Sequence, residues 1–322
     1  MKKFFKRVLM AIMILFVIAL ILVFVPKPKY SQSNPFLSQD GMPLVMAHAG
    51  GKGVYPDNTM LAYEYAFDLG VDVLEMDVQM TMDGIPVLTH GQNNTGNTIQ
   101  HSNCDSVVWK ENYQDLYDTC NFAYTYQEDD GSYLYQAMSP SEWQAAKVYL
   151  PTLEEVFERF GDQILYNIEI KADADAPRTE TADAVIDLIE AYDLLDHVLL
   201  ATAFDDISEY VLENYPDIMI SMSVGSAIDQ VVNIYTITTL FRGKPKYAAM
   251  QVPLSYDLPV IGHFNTNRWM IMHGLRQQNI AMHFWTINDE ETMRQLIEQG
   301  VDGIITDYPE LLMSLIEEYR ES

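Results

Sequence analysis

The chain has 322 residues, 48% hydrophobic and 20% charged, an ordinary composition for one large or two small globular domains. Its formal net charge of −27 is not ordinary. So acidic a surface repels the phosphate backbone of DNA or RNA, which argues against a nucleic-acid partner, and it favours cations.

The first predicted element is an apolar helix. Residues 8–25 are 18 consecutive apolar residues, close to what spans a bilayer. Lys2, Lys3, Lys6 and Arg7 precede them, so residues 1–7 are expected to stay cytoplasmic. A cleaved signal peptide would have a shorter core ending in small residues. This one ends in Val-Phe-Val-Pro, which favours an uncleaved, single-pass signal anchor in the cell membrane over a signal peptide or a core helix. The main domain is then extracytoplasmic. Residues 26–40, PKPKYSQSNPFLSQD, are polar and read as a linker.

From residue 41 to 318 short apolar runs alternate with amphipathic stretches. The runs 44–48, 71–78, 85–90, 164–171, 197–202, 217–223, 247–252, 280–285 and 303–306 read as strands. Helical stretches follow many of them, with Thr152 and Glu155 at capping-box spacing and Gly70, Gly161 and Gly300 at helix ends. Such alternation predicts parallel βαβ units closed into a TIM (β/α)8 barrel, with a doubly wound open sheet as the alternative. No G-x-G-x-x-G opens a helix after a strand, so nothing points to a dinucleotide. Residues 91–149, rich in Asn, Tyr, Asp and Gln, break the rhythm and read as an insertion on the catalytic face. Cys104 and Cys120, the two cysteines, both fall in it. Outside the cytoplasm they can form a disulfide; two free thiols are the alternative.

The strand VDVLEMDV carries the first chemistry. Residues two apart share a face, so Glu75 and Asp77 point inward together while Leu74, Met76 and Val78 pack against helices. Two adjacent carboxylates repel unless a cation neutralises them, and oxygen ligands suit a hard divalent ion. In LYNIEIK the face Leu165, Asn167, Glu169, Lys171 looks into the barrel. Glu169 can complete a three-carboxylate site and Lys171 can meet an anionic substrate; a plain Glu169–Lys171 ion pair is the alternative. His48 and His90 each end an apolar strand. Beside a Glu/Asp/Glu set they supply a general acid/base pair.

These residues occur in an order that resembles the glycerophosphodiester phosphodiesterases. His48 with Gly50-Gly51, Asn58-Thr59 after Pro56, Glu75-x-Asp77, a strand ending in His90, PTLEEVF, NIEIK, WTIN and GVDGIITDYP follow one another from about residue 43 to 312. The resemblance implies a TIM barrel and calcium- or magnesium-dependent cleavage of a small-molecule or lipid phosphodiester. Glu75, Asp77 and Glu169 would bind the metal, and His48 and His90 would be the acid/base pair. Lys171 would contact the phosphate and Trp285 would line the pocket. The resemblance also implies that the nucleophile can be the substrate's own neighbouring hydroxyl, passing through a cyclic phosphate that water attacks later.

The chain departs from the pattern where the family has His-Arg-Gly, because the middle residue is Ala49. The Asp usual after the second His is Gly91. Three carboxylates, a divalent ion, Lys171 and a phosphodiester monoanion leave one negative charge, which an arginine would have cancelled. A protonated histidine or Lys52, just past the turn, is expected to supply the missing charge. The Gly50-Gly51 turn is expected to let substrate approach the backbone.

Bland readings go to His101, His197, His263 and His273 as surface or structural residues, and to His283 as an interior one. Asp302 and Asp307 are expected to support loops. The tyrosines of 113–135 are either a ligand platform or a self-packed loop. The leading expectation is a membrane-anchored phosphodiesterase. Its rivals are an inactive barrel that binds phosphodiesters, and a lysophospholipid lyase forming cyclic phosphate.

Overall fold

A computed structural model describes residues 2–91, 101–128, 130–171, 176–258 and 262–321. The strands in chain order are β1 (Leu44–Ala47), β2 (Val73–Met80), β3 (Pro86–Leu88), β4 (Leu165–Ile170), β5 (Val198–Ala201), β6 (Met219–Ile220), β7 (Ala249–Val252), β8 (Ser255–Leu258), β9 (Gly262–Asn265), β10 (Ala281–Phe284) and β11 (Gly303–Thr306). The helices are α1 (Lys2–Val23), α2 (Met60–Leu69), α3 (Tyr113–Thr119), α4 (Pro140–Ala145), α5 (Leu153–Phe160), α6 (Arg178–Ala191), α7 (Asp205–Asn214), α8 (Val224–Thr236), α9 (Trp269–Gln277), α10 (Glu290–Gln299) and α11 (Pro309–Glu321).

The strands pair in the order β6-β5-β4-β2-β1-β11-β10-β7. A parallel bridge from Ser221 to Ala249 joins the two ends and closes a (β/α)8 barrel. Eight of the nine expected strands are its staves. The ninth, around Pro86–Leu88, instead pairs antiparallel with β2. The short β8–β9 hairpin and helices α3, α4, α8 and α11 were not expected; these four helices lie outside the helical stretches read from the sequence.

Period-two alternation sorts the barrel residues as expected. Leu74, Met76 and Val78 of β2 and Tyr166, Ile168 and Ile170 of β4 join the outer core beneath the helices. Val73, Leu199, Met219, Ala249, Ala281 and Ile305 fill the interior at the N-terminal ends of the strands. Above them Gln251 Nε2 donates to Asn167 Oδ1 at 3.0 Å and meets His283 Nδ1 at 3.2 Å, a polar middle layer. His283 is thus interior, as expected. Thr152 and Glu155 form the capping box, and Gly70 and Gly300 end helices in the left-handed region.

Residues 26–40 are not a free linker. The segment follows α9 downward, with Tyr30 N–H donating to Gln278 O at 2.8 Å, and then crosses beneath the barrel. Asn34 Nδ2 donates to Ala248 O at 2.8 Å, and the Phe36 ring is fully buried among the interior apolar residues. Polar composition misleads here because two aromatic anchors, Tyr30 and Phe36, are enough to hold the segment in place. Each fully buried large apolar side chain contributes about 1.5–3 kcal/mol. The apolar helix itself spans Lys3–Val23, is not buried against the barrel, and is long and apolar enough to cross a membrane; it starts and stops earlier than the expected 8–25.

In the insertion, Cys104 and Cys120 are joined in a disulfide with Cα atoms 5.6 Å apart. Its tyrosines pack on one another: Tyr117 lies 5.7 Å from Tyr113 and 5.2 Å from Tyr149 between ring centroids. These tyrosines pack within the loop, while Tyr133 stays exposed. Residues 92–100 of the expected insertion lie outside the described residues.

Candidate active site

The site lies at the C-terminal ends of the strands. The parallel register sets Asp77 of β2 beside Glu169 of β4, with Glu75 beside Asn167 one layer deeper. Oxygens of Glu75, Asp77 and Glu169 all lie within 4.8 Å of one another. Glu75 and Asp77 are 3% and 1% exposed, so water screens them poorly. Burial and then repulsion by Asp77 push the Glu75 carboxyl up to about 7. Burial pushes Asp77 the same way, but the charges of Lys171, His90 and His48 outweigh it and hold Asp77 below its usual range. Burial works against the Lys171 ammonium, yet Asp77 and Glu169 hold it firmly protonated. Its Nζ lies 2.9 Å from Glu169 and 3.3 Å from Asp77.

These residues fit a hard divalent ion. The donors are all carboxylate oxygens. Asp77 Oδ1 is buried and accepts no hydrogen bond; the Lys171 ammonium, 3.3 Å away, offsets part of the cluster's charge, and a divalent ion beside the three carboxylates would offset the rest. The other Asp77 oxygen is fixed: Asn58 Nδ2 donates to Oδ2 at 3.0 Å, while Asn58 Oδ1 accepts from Asp77 N–H at 3.1 Å and from the Tyr63 hydroxyl at 2.8 Å. Glu75 Oε2 accepts the Ala49 N–H at 2.7 Å.

Both histidines border this cluster. His48 follows β1, and its Nδ1 meets Asp307 Oδ1 at 2.6 Å. Burial disfavours the charged ring, but Glu75 and Asp307 outweigh it and raise the His48 pKa. Asp307 is held in turn by Asn288, whose Nδ2 donates to Asp307 Oδ2 at 2.6 Å and whose Oδ1 accepts the Asp307 N–H at 2.9 Å. His90 follows β3. Thr89 N–H donates to the Asp77 carbonyl at 2.9 Å, which brings the next residue to the cluster. His90 Nδ1 lies 3.1 Å from Gly91 O, so with the proton on Nδ1 each histidine presents Nε2 as its free nitrogen.

Lys52 lies near enough to His48 and Asp307 for its charge to act on both. Trp285, 43% exposed, stands at the mouth. The glycine turn also packs tightly. A Cβ on Gly50, at φ +83°, would sit 2.8 Å from Ala62 Cβ and 2.9 Å from the Ala62 carbonyl carbon. Gly50 is needed for close packing against α2.

A family model for the glycerophosphoryl diester phosphodiesterases matches residues 48–311. The chain belongs to that family. A glycerophosphodiester phosphodiesterase of Bacillus subtilis is 24% identical over 310 residues, covering 96% of this chain and 98% of that one. Lysophospholipase D GDPD3 of Homo sapiens is 23% identical over 289 residues, covering 85% of each. Among solved structures, a glycerophosphoryl diester phosphodiesterase from Silicibacter pomeroyi superposes with a TM-score of 0.65 at 19% identity, covering 88% of this chain and 96% of that one. A phosphodiesterase from Oleispira antarctica, in complex with its product sn-glycerol-3-phosphate, superposes at 0.62 with 22% identity, covering 86% and 97%. These likenesses place the barrel among TIM-barrel phosphodiesterases.

Within this phosphodiesterase, the structure brings Glu75, Asp77, Glu169, Lys171, His48 and His90 to one mouth, with Lys52 and Trp285 on its rim. Sequence reasoning assigned Asp307 to loop support and gave Asn58 and Asn288 no role of their own. A polar residue directly after β11, the strand that pairs with β1, was the available signal for Asp307. Ala49 stands where the sequence resemblance calls for arginine. Its backbone is left-handed (φ 48°) and its side chain is buried, so position 49 itself brings no charge to the mouth.

Proposed function

We propose that this phosphodiesterase is metal-dependent and anchored in the cell membrane, with its barrel outside the cytoplasm. It hydrolyses glycerophosphodiesters or related phospholipid or glycerophosphate substrates by histidine acid/base catalysis. The observation that carries this reading is the three-carboxylate cluster, in which a buried Asp77 oxygen accepts no hydrogen bond, bordered by two histidines that each present Nε2.

Glu75, Asp77 and Glu169 would hold the calcium or magnesium ion. Bound there, it supplies Lewis-acid polarisation of a phosphoryl oxygen. Lys171 places a fixed positive charge beside the phosphate, and Lys52 adds a second from the turn. One histidine takes the proton of the attacking water through Nε2. The other gives a proton to the departing alkoxide as the P–O bond breaks. Asp307 holds the His48 ring so that Nε2 faces the phosphate. Trp285 walls the mouth.

The anchor reading rests on α1 and its basic flank. The disulfide between Cys104 and Cys120 supports an oxidising compartment for the barrel. The deciding assay is release of glycerol 3-phosphate from glycerophosphocholine with calcium, magnesium or manganese, and its loss on chelation. No turnover of any of several diesters with all three ions would leave a binding-only barrel. Phosphorus NMR of the product would separate hydrolysis from formation of a cyclic phosphate.

A further inference from the structure

We propose that an apolar groove leading from the carboxylate site holds the acyl chain of a monoacyl glycerophosphodiester that enters from the foot of the membrane helix. The inference rests on the phosphodiesterase reading and adds a second subsite to it. The groove has a volume of about 810 Å³, within the range of small-molecule sites. Its inner end is bounded by Glu169 and Trp285, so it is continuous with the site. Helix α8 forms one wall and Tyr256 and Phe264 of the β8–β9 hairpin the other.

The chemistry of α8 points to the occupant. Val224, Ile228 and Val232, spaced four apart, form one stripe, and they are 50%, 56% and 52% exposed. Only Asn233 and Ile234 of this helix are buried. A polar headgroup laid along the α8 stripe would lose its water without gaining hydrogen bonds from Val224, Ile228 or Val232, whereas a hydrocarbon chain would bury its methylenes against them. The chain of a substrate is also the one apolar ligand tethered to the phosphodiester itself.

The outer end of the groove meets the membrane segment. Its last α8 residues are Tyr235 and Thr236, facing Arg268. Their neighbours Ile234 and Ile237, with Met270 and His273, border Val23, the final residue of α1. Phe24 lies 6.2 Å from Trp269 and 5.5 Å from His273 between ring centroids. The segment 24–36 runs from there to the far end of the barrel, so the foot of α1 lies toward the catalytic side, where α9 begins at Trp269. The groove therefore runs from the carboxylates to the point where α1 would enter the bilayer. A single-chain lipid there has its tail at the outer end and its phosphodiester at the inner one.

The test compares the full chain with the double variant Ile228→Ser/Val232→Ser, both reconstituted in phosphatidylcholine vesicles. Substrates are octanoyl, decanoyl and dodecanoyl lysophosphatidylcholine, with glycerophosphocholine as the chainless control. Partitioning into the vesicles is common to both proteins and cancels in the ratio of their kcat/KM values. That ratio is expected to stay near one for glycerophosphocholine and to climb with chain length to about tenfold for dodecanoyl. Glycerophosphocholine turnover with a flat ratio across the series would overturn the acyl subsite and leave the phosphodiesterase standing, as it would if the stripe instead seats a protein or the bilayer surface. Turnover of no substrate by the unaltered chain would overturn both.

Discussion

His48 Nδ1 and Asp307 Oδ1 lie 2.6 Å apart although 259 positions separate them in the chain. The first barrel strand pairs with the last, Ala47 beside Thr306, so the next residue of each meets across the seam. Asn288 donates to the other Asp307 oxygen and fixes which oxygen faces the ring. In Asp307→Asn, Asn288 would draw the new carbonyl oxygen, turning the new NH2 toward His48 and moving the ring proton to Nε2. We expect kcat to fall about 100-fold or more with KM little changed. A kcat–pH profile displaced from that of the parent separates this tautomer effect from simple loss of stability.

The metal reading is tested without activity. A divalent ion that binds only the folded chain at about 100 times its Kd adds about 2.7 kcal/mol of stability. Calcium or magnesium should therefore raise the Tm of the parent protein. Asp77→Asn removes a ligand charge and should abolish most of that rise. An equal rise in both proteins would place the ion elsewhere.

Lys52 is the proposed substitute for the arginine that the resemblance calls for at position 49. A charge-assisted contact to phosphate is worth about 1.5–3 kcal/mol, so Lys52→Ala should raise KM for glycerophosphocholine about tenfold or more. Unchanged affinity and turnover would remove Lys52 from the site.

His283 sets an acid limit to stability. Its ring is fully buried; Nε2 lies 2.9 Å from Phe36 O and Nδ1 meets the Gln251 amide. With Nε2 donating and Nδ1 accepting, the ring is neutral. Burial lowers its pKa, against the opposing pull of the Phe36 carbonyl and Asp302. A histidine with a depressed folded pKa contributes stability that is complete above its unfolded pKa, about 6.5, and is lost as pH falls below it. The slope is at most about 1.4 kcal/mol per pH unit per proton. Urea unfolding between about pH 5 and 8 should show this loss, and His283→Gln should flatten it.

The disulfide ties the insertion across 16 residues. A loop of this size corresponds to about 3 kcal/mol of lost chain entropy when unfolded. Cys104→Ser with Cys120→Ser should make the insertion the first site of proteolysis while the barrel melts at nearly its former temperature. Proteolysis at an unchanged rate would show that the insertion's own packing suffices.

Much of the site was legible because strand alternation is a local property. Glu75 and Asp77 had to share a face, as did Asn167, Glu169 and Lys171, whatever their neighbours. The eight staves were legible for the same reason, as short β-rich runs between helical ones. Helix α8 was missed because its apolar stripe is not buried against the barrel, and its small and β-branched residues mask the helical period. The segment 26–40 was misread because its composition is polar, while its burial depends on where Tyr30 and Phe36 land.

The sequence by itself determined which side chains face inward, which carry charge and which segment is apolar enough for a membrane. Tertiary structure alone decided the partners. The β2–β4 register brought Asp77 to Glu169, and the β1–β11 seam brought His48 to Asp307. The packing of residues 24–36 along α9 brought the foot of α1 to the outer end of the groove. Each of these is a contact between distant positions, set when the barrel closes and the hydrogen-bond ladders select one register.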